Sequence, residues 1–203
     1  MKKLVILVVA IFLFSGFNID FLSKKRKDLV MFINPEPEIS HYIIEDDGVF
    51  PNNRALPLVV LKNAVKLPDD EPAAIMEDIF NMNRWGNSWR NGLYRVHHYH
   101  STAHEALGVY SGWVEGQFGG ENGIKLKVFA GDVILIPAGV AHKNINQSLD
   151  FKVVGAYPPG QNWDMNYGNP EERPQTDENI SNVPLPPTDP VYGKEGKLLS
   201  YWK

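Results

Sequence analysis

The chain has 203 residues, 43% of them hydrophobic and 22% charged, which is enough apolar material for one globular domain with extensions. A net charge of -4, a pI near 5.9 and the lack of a basic stripe interleaved with aromatics argue against nucleic acid as a partner. With no cysteine, disulfides, thiolate nucleophiles, Cys-ligated iron–sulfur clusters and Cys-type zinc sites are excluded, while the redox compartment stays open.

Residues 1–22 read as a signal peptide or N-terminal membrane anchor, because Lys2 and Lys3 precede the apolar run Leu4–Phe14. That run is shorter than the ~20 residues of a typical span. No small-x-small cleavage site follows it, and Lys24, Lys25, Arg26 and Lys27 place positive charge on its far side. A buried helix or a mis-assigned start stays open beside the two targeting readings. The expected location is therefore export or anchorage in the cell envelope, with the cytoplasm as the alternative, and this segment is the expected membrane contact.

Residues 23–40 read as a linker, with Pro35 and Pro37 flanking Glu36, and residues 41–157 as a barrel. His41–Glu45 is the opening strand and Leu58–Leu61 the second, separated by turn clusters around Asp46-Asp47-Gly48 and Pro51-Asn52-Asn53. Asp69–Trp85 is the one clear helix, with Asp70 as N-cap and Pro72 in the first turn. Its stripe of Ile75, Met76, Ile79, Phe80 and Met82 is expected to pack on the outside of the barrel. Arg84–Arg90 carries Trp85 and Trp89, expected to pack at the barrel mouth, with substrate contact as the alternative. Trp113–Phe118 and Ile124–Phe129 form a hairpin about the Asn122-Gly123 loop, and Phe151–Tyr157 adds a strand. From Pro158 to Lys203, proline and polar residues predict an irregular arm, anchored by aromatics such as Trp163, Tyr192 and Trp202. Tyr157 and Asp164 either approach the barrel mouth or make structural hydrogen bonds.

The chemistry concentrates in two stretches, Gly92–Gly112 and Gly131–Asn146. Leu93, Tyr94, Val96 and Tyr99 predict a strand, so His98 and His100 share one face while His97 lies on the other and should face outside. Glu105 opens a second apolar run, Ala106–Tyr110, and reaches the same point if that run folds back beside the first. His104 should face away from Glu105, and serves as a spare ligand only if the preceding linker is irregular. The continuous apolar run Val133–Ile136 reads as a buried strand. Pro137-Ala138-Gly139 then makes a turn that delivers His142, with Asn144 and Asn146 on its face. His98, His100, His142 and Glu105 together offer nitrogen and oxygen donors to one divalent transition metal. Fe or Mn is favoured, with Ni, Co or Zn also suited to the donor set.

These stretches resemble the two motifs of the cupin superfamily. Gly92, His98, His100, Glu105 and Gly112 match every defining position of the first motif, and Gly131, Pro137, Gly139, His142 and Asn146 those of the second. The resemblance implies a mainly β fold, the cupin double-stranded β-helix, a jelly-roll-like barrel with one flanking helix. It also implies that His98, His100, Glu105 and His142 bind the metal, and that the chain forms a homodimer. A longer likeness, from about Tyr42 to Trp202, is to the YjlB-like bacterial cupins. Cupins with this ligand set include oxygenases, oxalate-degrading enzymes, sugar isomerases and binding proteins. The expected function is a metal-dependent enzyme, dioxygenase-like or an isomerase, acting on a small oxygen-bearing molecule. The alternatives are a metal-dependent binding or sensor protein, and a barrel that keeps the motif without metal.

Overall fold

The computed structural model describes residues 26–203, so the proposed signal or anchor of residues 1–22 lies outside the described part. Residues 26–30 are helical. The strands follow as β1 (Glu38–Ile44), β2 (Asn53–Lys62), β3 (Gly86–Asn91), β4 (Glu105–Ser111), β5 (Trp113–Phe118), β6 (Ile124–Phe129), β7 (Val133–Ile136), β8 (His142–Gln147) and β9 (Lys152–Tyr157). Helix α1 (Pro72–Met82) separates β2 from β3. Two antiparallel sheets result, one ordered β1-β2-β7-β4-β9-β3 and the other β6-β5-β8.

The larger sheet is covered on both faces, which explains its continuous apolar runs. Leu58 and Val60 of β2, Leu107 and Val109 of β4, Ile134 and Ile136 of β7 and Val153 of β9 point inward. There they meet Val114 and Phe118 of β5 and Val128 of β6 from the smaller sheet. The alternate residues Val59, Leu61, Val133, Leu135, Val154 and Ala156 point outward, where Ala73, Met76, Ile79 and Phe80 of α1 pack against them. The helix stripe thus takes the expected place on the outside. Its start differs from expectation: Pro72 occupies the first turn, but the cap is Glu71 in the left-handed region (φ 51°), and no side chain, Asp70 included, caps it. Pro72 fixes its own φ for helix entry, so the reversal falls one residue before it.

Three further differences have physical causes. Arg84–Arg90, read as packing at the barrel mouth or contacting substrate and not as a strand, contributes most of β3, an edge strand paired with β9; the positive φ of Asn87 interrupts the alternation that would mark a strand. A bulge at Ile145, where consecutive β5 residues face Asn144 and Asn146, breaks the expected parity, so Asn144 is buried and Asn146 exposed. The arm is not wholly irregular, since it contains a 3-10 turn (Pro170–Glu172), α2 (Gln175–Asn182) and α3 (Leu198–Tyr201). The polar sequence of α2 carries little periodic apolar signal; Thr176 is its one buried residue.

The arm is stapled to the barrel by directed bonds. Trp85 Nε1 donates to the Thr188 carbonyl at 2.9 Å, Trp202 Nε1 to the Pro57 carbonyl at 2.9 Å, and Asn83 Nδ2 to Val191 at 2.8 Å. The buried Tyr99 donates its hydroxyl to Glu172 Oε2 at 2.9 Å. Glu172 also accepts from the Tyr167 and Gly168 amides at 2.8 and 2.9 Å. Partial burial pushes this carboxyl upward, but these hydrogen bonds outweigh it and hold Glu172 below its ordinary 4.5. Its folded affinity for protons is thus lower than its unfolded one, so its contribution is complete above the ordinary value and is lost as pH falls through the folded one. Glu172→Gln should therefore lower unfolding stability near neutral pH by about 1 kcal/mol. In denaturant titrations across the acid range, the gap to the parent should begin to close as the pH falls below 4.5 and vanish below the lower folded value.

Candidate metal centre

Strand parity aims Glu105 into the barrel, on the same face as Leu107 and Val109. His142 opens β8 after the turn at Pro137–Gly139. Gly139 has φ 93°, and a Cβ there would lie 2.4 Å from the Asn52 carbonyl oxygen, so glycine alone suits the turn. The stretch Leu93–Tyr99, expected as a strand, is not a regular one. Its pairing is confined to two bridges, His98 with His142 and Tyr99 with Asn166 of the arm. Reciprocal backbone bonds of 3.2 and 2.9 Å hold His98 to His142, and bonds of 2.9 and 3.0 Å hold Tyr99 to Asn166. The short extended piece keeps the predicted alternation, so His98 and His100 both face the barrel interior.

Nitrogens of His98, His100 and His142 all lie within 4.8 Å of one another, and all three side chains are buried. Glu105 joins them: its Oε2 is 3.5 Å from His142 Nε2 and 3.6 Å from His100 Nε2. The structure therefore gathers the three imidazoles, with Glu105 against His100 and His142. Each imidazole is oriented from behind, because Nδ1 faces a backbone carbonyl: Val96 for His98 at 3.4 Å, Val140 for His142 at 3.1 Å and Asp164 for His100. A carbonyl can only accept, so the proton sits on Nδ1 and the Nε2 lone pair faces inward. Burial holds His98 down to about 4 and His142 well below its ordinary value, keeping both neutral at physiological pH.

Glu105 completes a set of converging acceptors. Its Oε1 accepts the Tyr157 hydroxyl at 2.8 Å, whereas the buried Oε2 has no hydrogen-bond partner. Burial pushes the carboxyl pKa up, opposed by His100 and by the Tyr157 hydroxyl. The neutral imidazoles of His98 and His142 thus face the unpartnered Glu105 oxygen, with the His100 ring beside them. Donors sharing one ion at bonds of about 2.1 Å stand roughly 3–4 Å apart, which suits the spacings here. The buried histidine group could hold a metal ion.

The two control histidines behave differently. His97 turns away from the cluster but is not outside: it is buried against Phe50, with ring centroids 5.3 Å apart, and lies 3.8 Å from Glu121. The extended piece lies inside the molecule, so both its faces are covered. His104 is buried away from the cluster, its ring tilted against Trp202 with centroids 4.6 Å apart, and its Nδ1 accepts the Ala138 amide at 2.9 Å. The cavity in front of the cluster, about 190 Å³, is walled by Trp89, Tyr94, Tyr157, Trp163 and Met165. Trp89 and Trp163 add walls that the motifs do not mark. The aromatic composition of Arg84–Arg90 and of the arm was the available signal for them.

Two antiparallel sheets enclosing a histidine–carboxylate cluster at one mouth define a small double-stranded β-helix protein of the cupin class. No protein-family model matches the chain. It is 41% identical over 167 residues to the uncharacterized protein YjlB of Bacillus subtilis, covering 82% of this chain and 98% of the relative. The chain belongs to the YjlB-like cupin family.

Likenesses to solved structures are distant. One is an uncharacterized conserved protein with a double-stranded β-helix domain from Klebsiella pneumoniae, with 19% identity, 68% of this chain, 93% of that chain and a TM-score of 0.32. Another is a dTDP-6-deoxy-D-glucose-3,5-epimerase from Legionella pneumophila, with 14% identity, 66% and 75% coverage and a TM-score of 0.33. An 11S allergen from Cocos nucifera gives 18% identity and a TM-score of 0.33 over 46% of this chain, which spans only 31% of that protein. At these scores none of the three bears on the reading of the site. Among the described residues, no helix is long and apolar enough to cross a membrane.

His104 separates packing from coordination. His104→Ala leaves the buried Ala138 amide unpartnered and should cost about 1–3 kcal/mol in thermal or denaturant unfolding. Metal content per folded molecule, measured by elemental analysis, should equal that of the parent.

Proposed function

We propose that the chain is a metal-dependent enzyme that acts on a small oxygen-bearing molecule at a single divalent transition metal. The ligands are Nε2 of His98, His100 and His142 and Oε2 of Glu105. The observation that carries this reading is the unpartnered Glu105 Oε2, buried and facing imidazole nitrogens. A buried acceptor costs free energy unless something satisfies it, and a cation shared with three imidazoles does so. The mixed nitrogen and oxygen set, without sulfur, favours Fe or Mn, with Ni, Co or Zn also accommodated.

When bound, the ion supplies Lewis acidity to polarise a carbonyl, enolate or carboxylate oxygen, in a dioxygenase-like or isomerase reaction. The chain's own residues do the rest. Glu105 sets one negative charge against the ion, and the backbone carbonyls behind the rings hold the imidazoles in place. Tyr157 and Trp163, stacked at 6.2 Å, together with Trp89 and Tyr94, exclude water and offer flat apolar faces to the substrate skeleton. The cavity admits only a small molecule.

The test begins with metal analysis of protein purified without chelators or a histidine tag. Near-stoichiometric Fe or Mn is expected, with a fall of about tenfold or more in His98→Ala and His142→Ala. Protein that arrives empty and takes up neither added Fe(II) nor Mn(II) overturns the proposal. Oxygen uptake and product analysis with hydroxy acids, diketones and phenols then test catalysis. A loaded site that binds such compounds without turning them over would instead make this a binding or sensor protein.

A further inference from the structure

Behind Glu105 runs a directed chain of hydrogen bonds. Trp89 Nε1 donates to the Tyr157 hydroxyl oxygen at 2.9 Å, and that hydroxyl meets Glu105 Oε1 at 2.8 Å. An indole N–H can only donate, so it takes a lone pair of the phenol oxygen and leaves the phenol's one proton for the carboxylate. The direction of both bonds is thereby fixed. Oε1 is occupied as an acceptor, and Oε2 alone is free among the imidazoles.

The position of Trp89 depends on a close approach between strands. The β3–β9 register sets Trp89 opposite Gly155, and the indole lies across that glycine. A Cβ at residue 155 would stand 2.2 Å from Trp89 Cε2 and 2.4 Å from Nε1. A side chain there would displace the ring from the place where it reaches Tyr157.

We propose that Tyr157, held by Trp89 across Gly155, restricts Glu105 to one metal-ligating oxygen and so keeps an additional coordination position open for an exchangeable ligand. Tyr157 is a positioning residue in this scheme. Its inference rests on the metal reading above. A carboxylate can bind an ion through one oxygen or two, and in the two-oxygen mode Oε1 would share its electron density between the ion and the Tyr157 hydroxyl, which weakens its hold on the ion. With three imidazoles and one oxygen engaged, a six-coordinate ion keeps about two positions for water or substrate; with both oxygens engaged it keeps about one.

The experiment loads the full chain with Mn(II) and measures water-proton relaxivity per bound ion, with binding fixed by chelator competition. Tyr157→Phe removes the hydroxyl, and Trp89→Phe removes the donor that directs it. The Tyr157→Phe protein should show an inner-sphere contribution roughly half that of the parent, with Trp89→Phe shifted in the same direction. Circular dichroism and melting identify which variants are folded, and either folded variant suffices. Relaxivity per bound Mn(II) equal to the parent's in the folded variants overturns this inference and leaves the metal reading standing. A parent chain that takes up neither Mn(II) nor added Fe(II) overturns both.

Discussion

A buried oxygen acceptor without a protein donor is the constraint around which this molecule is built. Glu105 points inward because β4 must also point Leu107 and Val109 inward, and a pleated strand cannot turn one side chain without turning its neighbours. Its Oε2 then meets imidazole nitrogens whose protons are held on the far side of the rings by backbone carbonyls. Acceptors converging in a low-dielectric interior repel each other unless positive charge lies between them. The barrel tolerates the arrangement because its two cores, between the sheets and under α1, bury enough apolar surface to fix the strands independently.

The site was legible in the sequence to the extent that it depends on spacing within short segments. Alternation placed His98 and His100 together and turned His97 away, and the Pro137–Gly139 turn delivered His142. The apolar stripe of α1 and the doubly buried β7 were legible for the same reason, since each is a periodic pattern read over one element. What failed depended on packing between distant segments. His97 turns away from the cluster, yet Phe50 and its surroundings close over it. No local pattern could reveal that the His98–His100 piece is held by the arm at Asn166 instead of by a sheet neighbour on that side. β3 was missed because a left-handed residue, Asn87, interrupts its pattern. Asn146 was misplaced because one bulged residue reverses side-chain parity.

The converging side chains could hold a metal ion, and neither they nor the family names a substrate. The walls of the cavity narrow the choice by chemistry. Arg90 lines it, but its guanidinium is paired with Glu77 at 2.5 Å. Recognition therefore falls to the aromatic faces and to whatever occupies the histidine cluster. Orientation of a small substrate would come from its own oxygen atoms.

The Asp164 carbonyl behind His100 joins residues far apart in the chain. The barrel strands end at Tyr157, so every strand exists before the segment that orients this histidine has been made. During synthesis the sheets can close while His100 still lacks its rear support and Tyr99 its Asn166 bridge. The order of the chain thus separates building the container from arming it. Until the last quarter of the molecule has wrapped back over the mouth, the His100 ring lacks the carbonyl that orients it towards the cluster.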